Sequence, residues 1–178
     1  IRTSERVLLF AKDRKMLVQL GSRLLVINAL QPYPTWEGFK PKLVMAWNEL
    51  RQVVDVRGLE RIGLRYINRI ELSEKEASKL RDYFEFYPFI SARLPQHLET
   101  FVVGAEFPYK GGRDRCRVQL SPAQQGALIL DIDYFLARPN EVPFSEVFEW
   151  VEEAHSQVEE VFESCITDHL RSQFEEIR

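Results

Sequence analysis

Two cysteines occur in 178 residues, Cys116 and Cys165, far apart and without the CxxC spacing of a redox or zinc pair. A disulfide-stapled miniprotein is excluded, and the pattern suits a compartment where thiols stay reduced, so the chain reads as cytoplasmic. No apolar run approaches the roughly 20 residues that cross a bilayer. The longest, around Leu24 to Leu30, is strand-sized and interrupted by Asn28, so no membrane partner is expected. Phosphate loops, dinucleotide fingerprints, nucleophile elbows and zinc spacings are also missing, which removes the commonest enzyme readings and leaves no cofactor to assign. Whether the chain is an enzyme stays open at this point, with the balance against it.

What is present is an ordinary globular composition, 45% apolar, 12% aromatic and 29% charged, in 20.9 kDa. A chain of this size hides roughly 70% of its unfolded surface, enough for a core without staples. The net charge of −3 conceals a gradient. Residues 1–72 hold 13 basic and 7 acidic side chains, residues 73–138 hold 9 of each, and residues 139–178 hold 2 basic and 11 acidic. Such polarity marks either a basic surface beside an acidic arm or two regions that neutralise each other.

Alternation and turn residues predict a meander over Val7–Ala11, Met16–Leu20 and Arg23–Ala29, with Gly21-Ser22 as a two-residue connection. Pro32 and Pro34 stop the sheet. Phe39, Leu43, Ala46, Trp47, Leu50 and Val54 then recur at spacings of three and four, a helix stripe, and Pro41 places its regular start near Phe39. From Arg61 to Ile70 the period returns to two: Ile62, Leu64, Tyr66, Asn68 and Ile70 on one face, Arg61, Arg65 and Arg69 on the other. Ser73 with Glu76 reads as a capping box for a helix through about Phe84. Strands follow over Phe101–Tyr109, Arg115–Leu120 and Ala127–Phe135. From Ser145 onward a helical stripe runs to the end, roughly 50 Å if unbroken. The expectation is a single α+β domain over 1–178: an antiparallel sheet of about six or more strands covered by helices, with a long C-terminal helix.

The strand Gly63-Leu64-Arg65-Tyr66-Ile67-Asn68-Arg69 and the helix from Ala154-His155 to Ile166-Thr167-Asp168 resemble a sporadically distributed family of bacterial and archaeal proteins that has no assigned activity. The likeness extends over nearly the whole chain. It implies a prokaryotic setting and, because members carry a further strand and helix ahead of the meander, a chain lacking that N-terminal segment. It brings no catalytic residues with it.

Four constellations could carry chemistry. Arg65 and Arg69, Arg115 and Arg117 with Gln119, and Asp131 with Asp133 each share a strand face. If those strands are neighbours, guanidinium forks and carboxylates line one surface. As a site this could hold phosphate and Mg²⁺, although two carboxylates without a third acid are incomplete. The series Arg51, Arg57, Arg61, Arg65 and Arg69 offers a nucleic-acid platform, weakened because Tyr66 points away from Arg65. His155 with Glu159 supplies two ligands at i, i+4 and no third, so no metal is assigned; Cys116 and Cys165 read as small buried hydrophobes. Finally, the acidic terminal helix either clasps the sheet or pairs with a second copy. Clasping would enclose a cleft lined by aromatics, including Phe101, Phe107 and Tyr134. The leading expectation is a binding or regulatory module recognising a protein partner or small ligand through sheet and helix, with a homodimer as one form. The alternative is nucleic-acid binding or Mg²⁺-dependent cleavage on the Arg65/Arg69 and Asp131/Asp133 face.

Overall fold

Turn chemistry and alternation set most of the element boundaries. A computed structural model describes residues 6–73, 79–96 and 98–174. The chain divides into two compact units, residues 1–57 and 58–178, each described by itself below. The boundary falls at Arg57-Gly58, where no proline-rich linker announces it.

In the first unit β1 (Val7–Phe10), β2 (Met16–Gly21) and β3 (Leu24–Ala29) form an antiparallel meander in the order β1-β2-β3. Gly21 pairs with Leu24, so the two-residue loop is Ser22-Arg23, one position later than expected. Helix α1 (Trp36–Val53) starts three residues ahead of Phe39, because the Thr35 hydroxyl accepts the Gly38 amide at 3.3 Å and caps the helix there. Pro41 consequently sits in the second turn. The apolar stripe from Phe39 to Leu50 is half-buried, Val54 is exposed, and Met16 is the buried residue among those described in this unit.

The second unit is built on β4 (Gly63–Glu71), β5 (Val103–Tyr109), β6 (Asp114–Pro122) and β7 (Ala127–Leu136), antiparallel throughout in the order β4-β7-β6-β5. With the meander this makes seven strands in two sheets, in an α+β fold with a long C-terminal helix. Short α2 (Leu80–Tyr83), long α3 (Val147–Cys165) and short α4 (Asp168–Arg171) complete it. The Ser73–Glu76 capping box expected before α2 lies in part outside the described residues.

Strict alternation divides the residues of this sheet between its faces. Leu64, Tyr134, Cys116 and Phe107 form one cross-sheet row on the α3 side. The next row, Arg65, Asp133, Arg117 and Glu106, lies on the opposite side. Helix α3 lies over β4 and β7 and buries Val147, Trp150, Ala154, Val158, Val161 and Cys165. Each fully buried large aliphatic or aromatic side chain contributes about 1.5–3 kcal/mol, so this stripe is the principal clasp.

The terminal helix does not run unbroken to the end. Its 19 residues span roughly 28 Å, after which Ile166 is extended and bridges Phe84. The Thr167 amide donates to the Tyr83 carbonyl at 3.0 Å, and its hydroxyl both donates to the Asp82 carbonyl and accepts the Leu170 amide to cap α4. Residues 82–84 thus take over the backbone groups that another helical turn would have used.

Candidate functional site

The polar face comes first, because the sequence singles it out. Its strands are neighbours, and Arg65, Arg69, Arg115, Arg117, Asp131 and Asp133 do share one surface. Their groups are spent on one another. Both oxygens of Asp131 are taken by Arg65, the Nε contact at 2.7 Å. Asp133 accepts from Arg61 at 2.7 Å, and the Arg61 guanidinium stacks 3.9 Å from the centroid of Phe135. Glu106, unassigned at the sequence level, takes Arg115 on one oxygen and Arg117 on the other, each at 2.8 Å. Arg69 turns to Glu71 and to the Gln124 carbonyl, at 3.4 and 3.3 Å. The Arg115 and Arg117 forks hold the Glu106 carboxyl below its usual range, and the Asp131 hydrogen bond raises the Arg65 guanidinium. A carboxylate filled by a guanidinium fork offers no free oxygen pair to a cation, and the described residues contain no cluster of three or more metal-ligating side chains.

On the other face, a cleft of about 300 Å³ opens between the second half of α3 and the β5 edge. Its floor is Phe107 and Tyr109 from β5 with Val118 from β6; its α3 wall is Gln157, Glu160, Val161, Ser164 and Cys165. Glu85 and Phe86 close one end. They are held there because their amides donate to the Cys165 carbonyl, at 2.9 and 3.3 Å, satisfying the end of α3. Of the aromatics expected in such a cleft, Phe107 is present. Tyr134 is wholly buried, and Phe101 is not part of the lining. Phe86 and Tyr109 take their place. Phe86 escaped sequence reasoning because a backbone hydrogen bond from a loop, without periodicity, delivers it.

The remaining candidates have structural partners. The Tyr66 hydroxyl lies 3.3 Å from His155 Nδ1, and His155 Nε2 lies 3.3 Å from Glu159, so this pair ties α3 to β4. Burial pushes Tyr66 up to about 12, with Glu159 adding to it. Burial also pushes the thiols of Cys116 and Cys165 up, to about 12 and about 11, which keeps both protonated and poor as nucleophiles. Asp114 is fully buried. It accepts Arg113 at 2.6 Å, the Trp150 indole at 3.0 Å and the Tyr134 hydroxyl at 3.4 Å. In sequence it looks like one more charge in the run Arg113-Asp114-Arg115. The signal that could have found it is the alternation that puts it on the face of Cys116 and Val118.

No known protein family, curated protein or solved structure gives a significant match to this chain.

Proposed function

We propose that the second unit is a binding module whose recognition site is the cleft between α3 and β5. The cleft itself carries this reading. Its volume of about 300 Å³ stands at the lower end of the roughly 300–1,000 Å³ usual for ligand sites, and it combines an apolar floor with a few polar rim groups. The likeness of the GLRYINR strand to a family without assigned activity is compatible with such a role and adds no chemistry to it. The Mg²⁺-dependent alternative needs carboxylates and guanidiniums free to meet a ligand, and on the polar face these are engaged with each other.

Two measurements test it together. A small neutral fluorophore such as indole is expected to bind and to shift the amide resonances of Val118, Phe107 and Val161. The variant Ser164→Trp, which fills the cleft from an exposed helix position, is expected to abolish those shifts while its melting temperature stays near that of the parent. Shifts confined to β1 or α1, or survival of binding in Ser164→Trp, would overturn the assignment. An oligonucleotide is expected to show no salt-sensitive retention at low ionic strength.

A further inference from the structure

The chemistry of the cleft lining narrows what it takes, on the premise that the cleft is a binding site. Three aromatic rings, Phe86, Phe107 and Tyr109, stand with two carboxylates, Glu85 and Glu160, and among the described residues no Lys, Arg or His is part of the lining. Glu85 and Glu160 are both exposed at the rim, and Phe107 keeps 44% of its surface open. Among the described residues the Glu160 carboxylate accepts from the neutral amide of Gln157 at 3.4 Å. Tyr109 stays a neutral ring, since burial, Cys116 and Glu160 all push its hydroxyl up.

Each ligand class meets this lining differently. An anion faces two carboxylates and the negative faces of the rings. A neutral apolar group gains contact with the rings and leaves the carboxylates unused. An organic cation gains both, because the ring quadrupole attracts positive charge and the rim carboxylates complement it. The small volume limits the occupant to a headgroup and a short chain. From this charge and ring complementarity we infer that the cleft binds an alkylammonium group, carried either on a small free amine or on a methylated lysine side chain.

Choline and its neutral carbon isostere 3,3-dimethyl-1-butanol are titrated in parallel into the full chain, followed by amide NMR at low salt. Choline is expected to shift Phe107, Val118 and Val161 and to bind about tenfold or more tighter than the isostere. The double variant Glu85→Gln/Glu160→Gln is expected to reduce that preference severalfold, leaving the part due to the rings, with an unchanged circular dichroism spectrum as the fold control. A third arm uses a short peptide bearing trimethyllysine: tighter binding than choline places the natural source on a protein, and weaker binding places it in a small molecule. Equal binding of choline and the isostere, or a preference that the double variant leaves undiminished, overturns the alkylammonium assignment while leaving the cleft as a binding site. Absence of cleft shifts with all three probes, and with a neutral fluorophore as well, overturns both.

Discussion

The two halves of the four-stranded sheet obey the same alternation and end up with different surroundings. Over β4 and β7 the apolar face is sealed by α3, and Tyr66, Leu128, Leu130 and Ile132 lie beneath it or at its margin. Over β6 the same face is still closed, with Cys116, Val118 and Leu120 wholly buried, but at the outer strand β5 it is not, and Phe107 and Tyr109 look into an open cleft. Simple dimensions force the asymmetry. Four strands spaced about 4.8 Å apart set the outer pair roughly 14 Å apart, whereas a helix with its side chains is about 10–12 Å across. One helix therefore cannot cover the whole sheet. Where it sits is decided by two polar ties, Trp150 to Asp114 and His155 to Tyr66. The cleft is the part of the sheet left over.

The largest break in this arrangement is Asp114→Ala. It strands the buried Trp150 indole and Tyr134 hydroxyl and leaves the half-buried Arg113 without its carboxylate. Removing one partner of a buried charged network costs about 3–5 kcal/mol, read as a lower midpoint in urea unfolding. Asp114→Asn keeps an acceptor for the indole and should lose less. A loss under about 1 kcal/mol for the alanine variant would mean that apolar packing alone seats the helix.

The tie on the covered half is weaker and pH-dependent. Tyr66→Phe deletes a part-buried hydrogen bond and is expected to cost about 0.5–1.5 kcal/mol near neutral pH. The folded chain holds the Tyr66 proton up to about 12 against an ordinary value of 10. Between those values the unfolded chain releases the proton and the native chain does not, so this contribution is present below pH 10 and declines as pH rises toward 12. The urea midpoints of parent and variant should accordingly converge as pH rises from 9 through this window; a constant gap would show that burial does not hold the Tyr66 proton in the folded chain.

Much of this architecture is legible in the residues. Alternation over Arg61–Ile70 and over the strands from Val103 onward places each side chain on the correct face, and the arginine and aspartate partners on the polar face follow once the strands are adjacent. Three features are not legible, each for a physical reason. The start of α1 is set by the Thr35 hydroxyl, a single hydrogen bond that competes with the position of Pro41. The break at Ile166-Thr167 comes from residues 82–84, far away in sequence, whereas the local pattern stays helical. The cleft depends on how wide a helix is compared with a sheet, which no periodicity encodes, and on Phe86, which a backbone contact positions. The neutralisation of the polar face is intermediate: Glu106 was invisible as a partner because its role needs β5 beside β6.

The smallest expected effect sharpens the contrast from the far side of the sheet. Asp131→Asn weakens the fork with Arg65, whose side chain is 55% exposed, and exposed pairs contribute about 0–1 kcal/mol. The destabilisation should stay within that range and shrink further in 1 M salt, because solvent-accessible charges are screened over a few ångströms there. If the face is merely solvated, freeing Arg65 should also leave the chain without affinity for oligonucleotides at low salt. A loss of several kcal/mol that salt does not reduce would place this row of charges in a desolvated environment in solution. The polar face would then join the covered half as buried surface, and the cleft would be left as the sheet's main open ground.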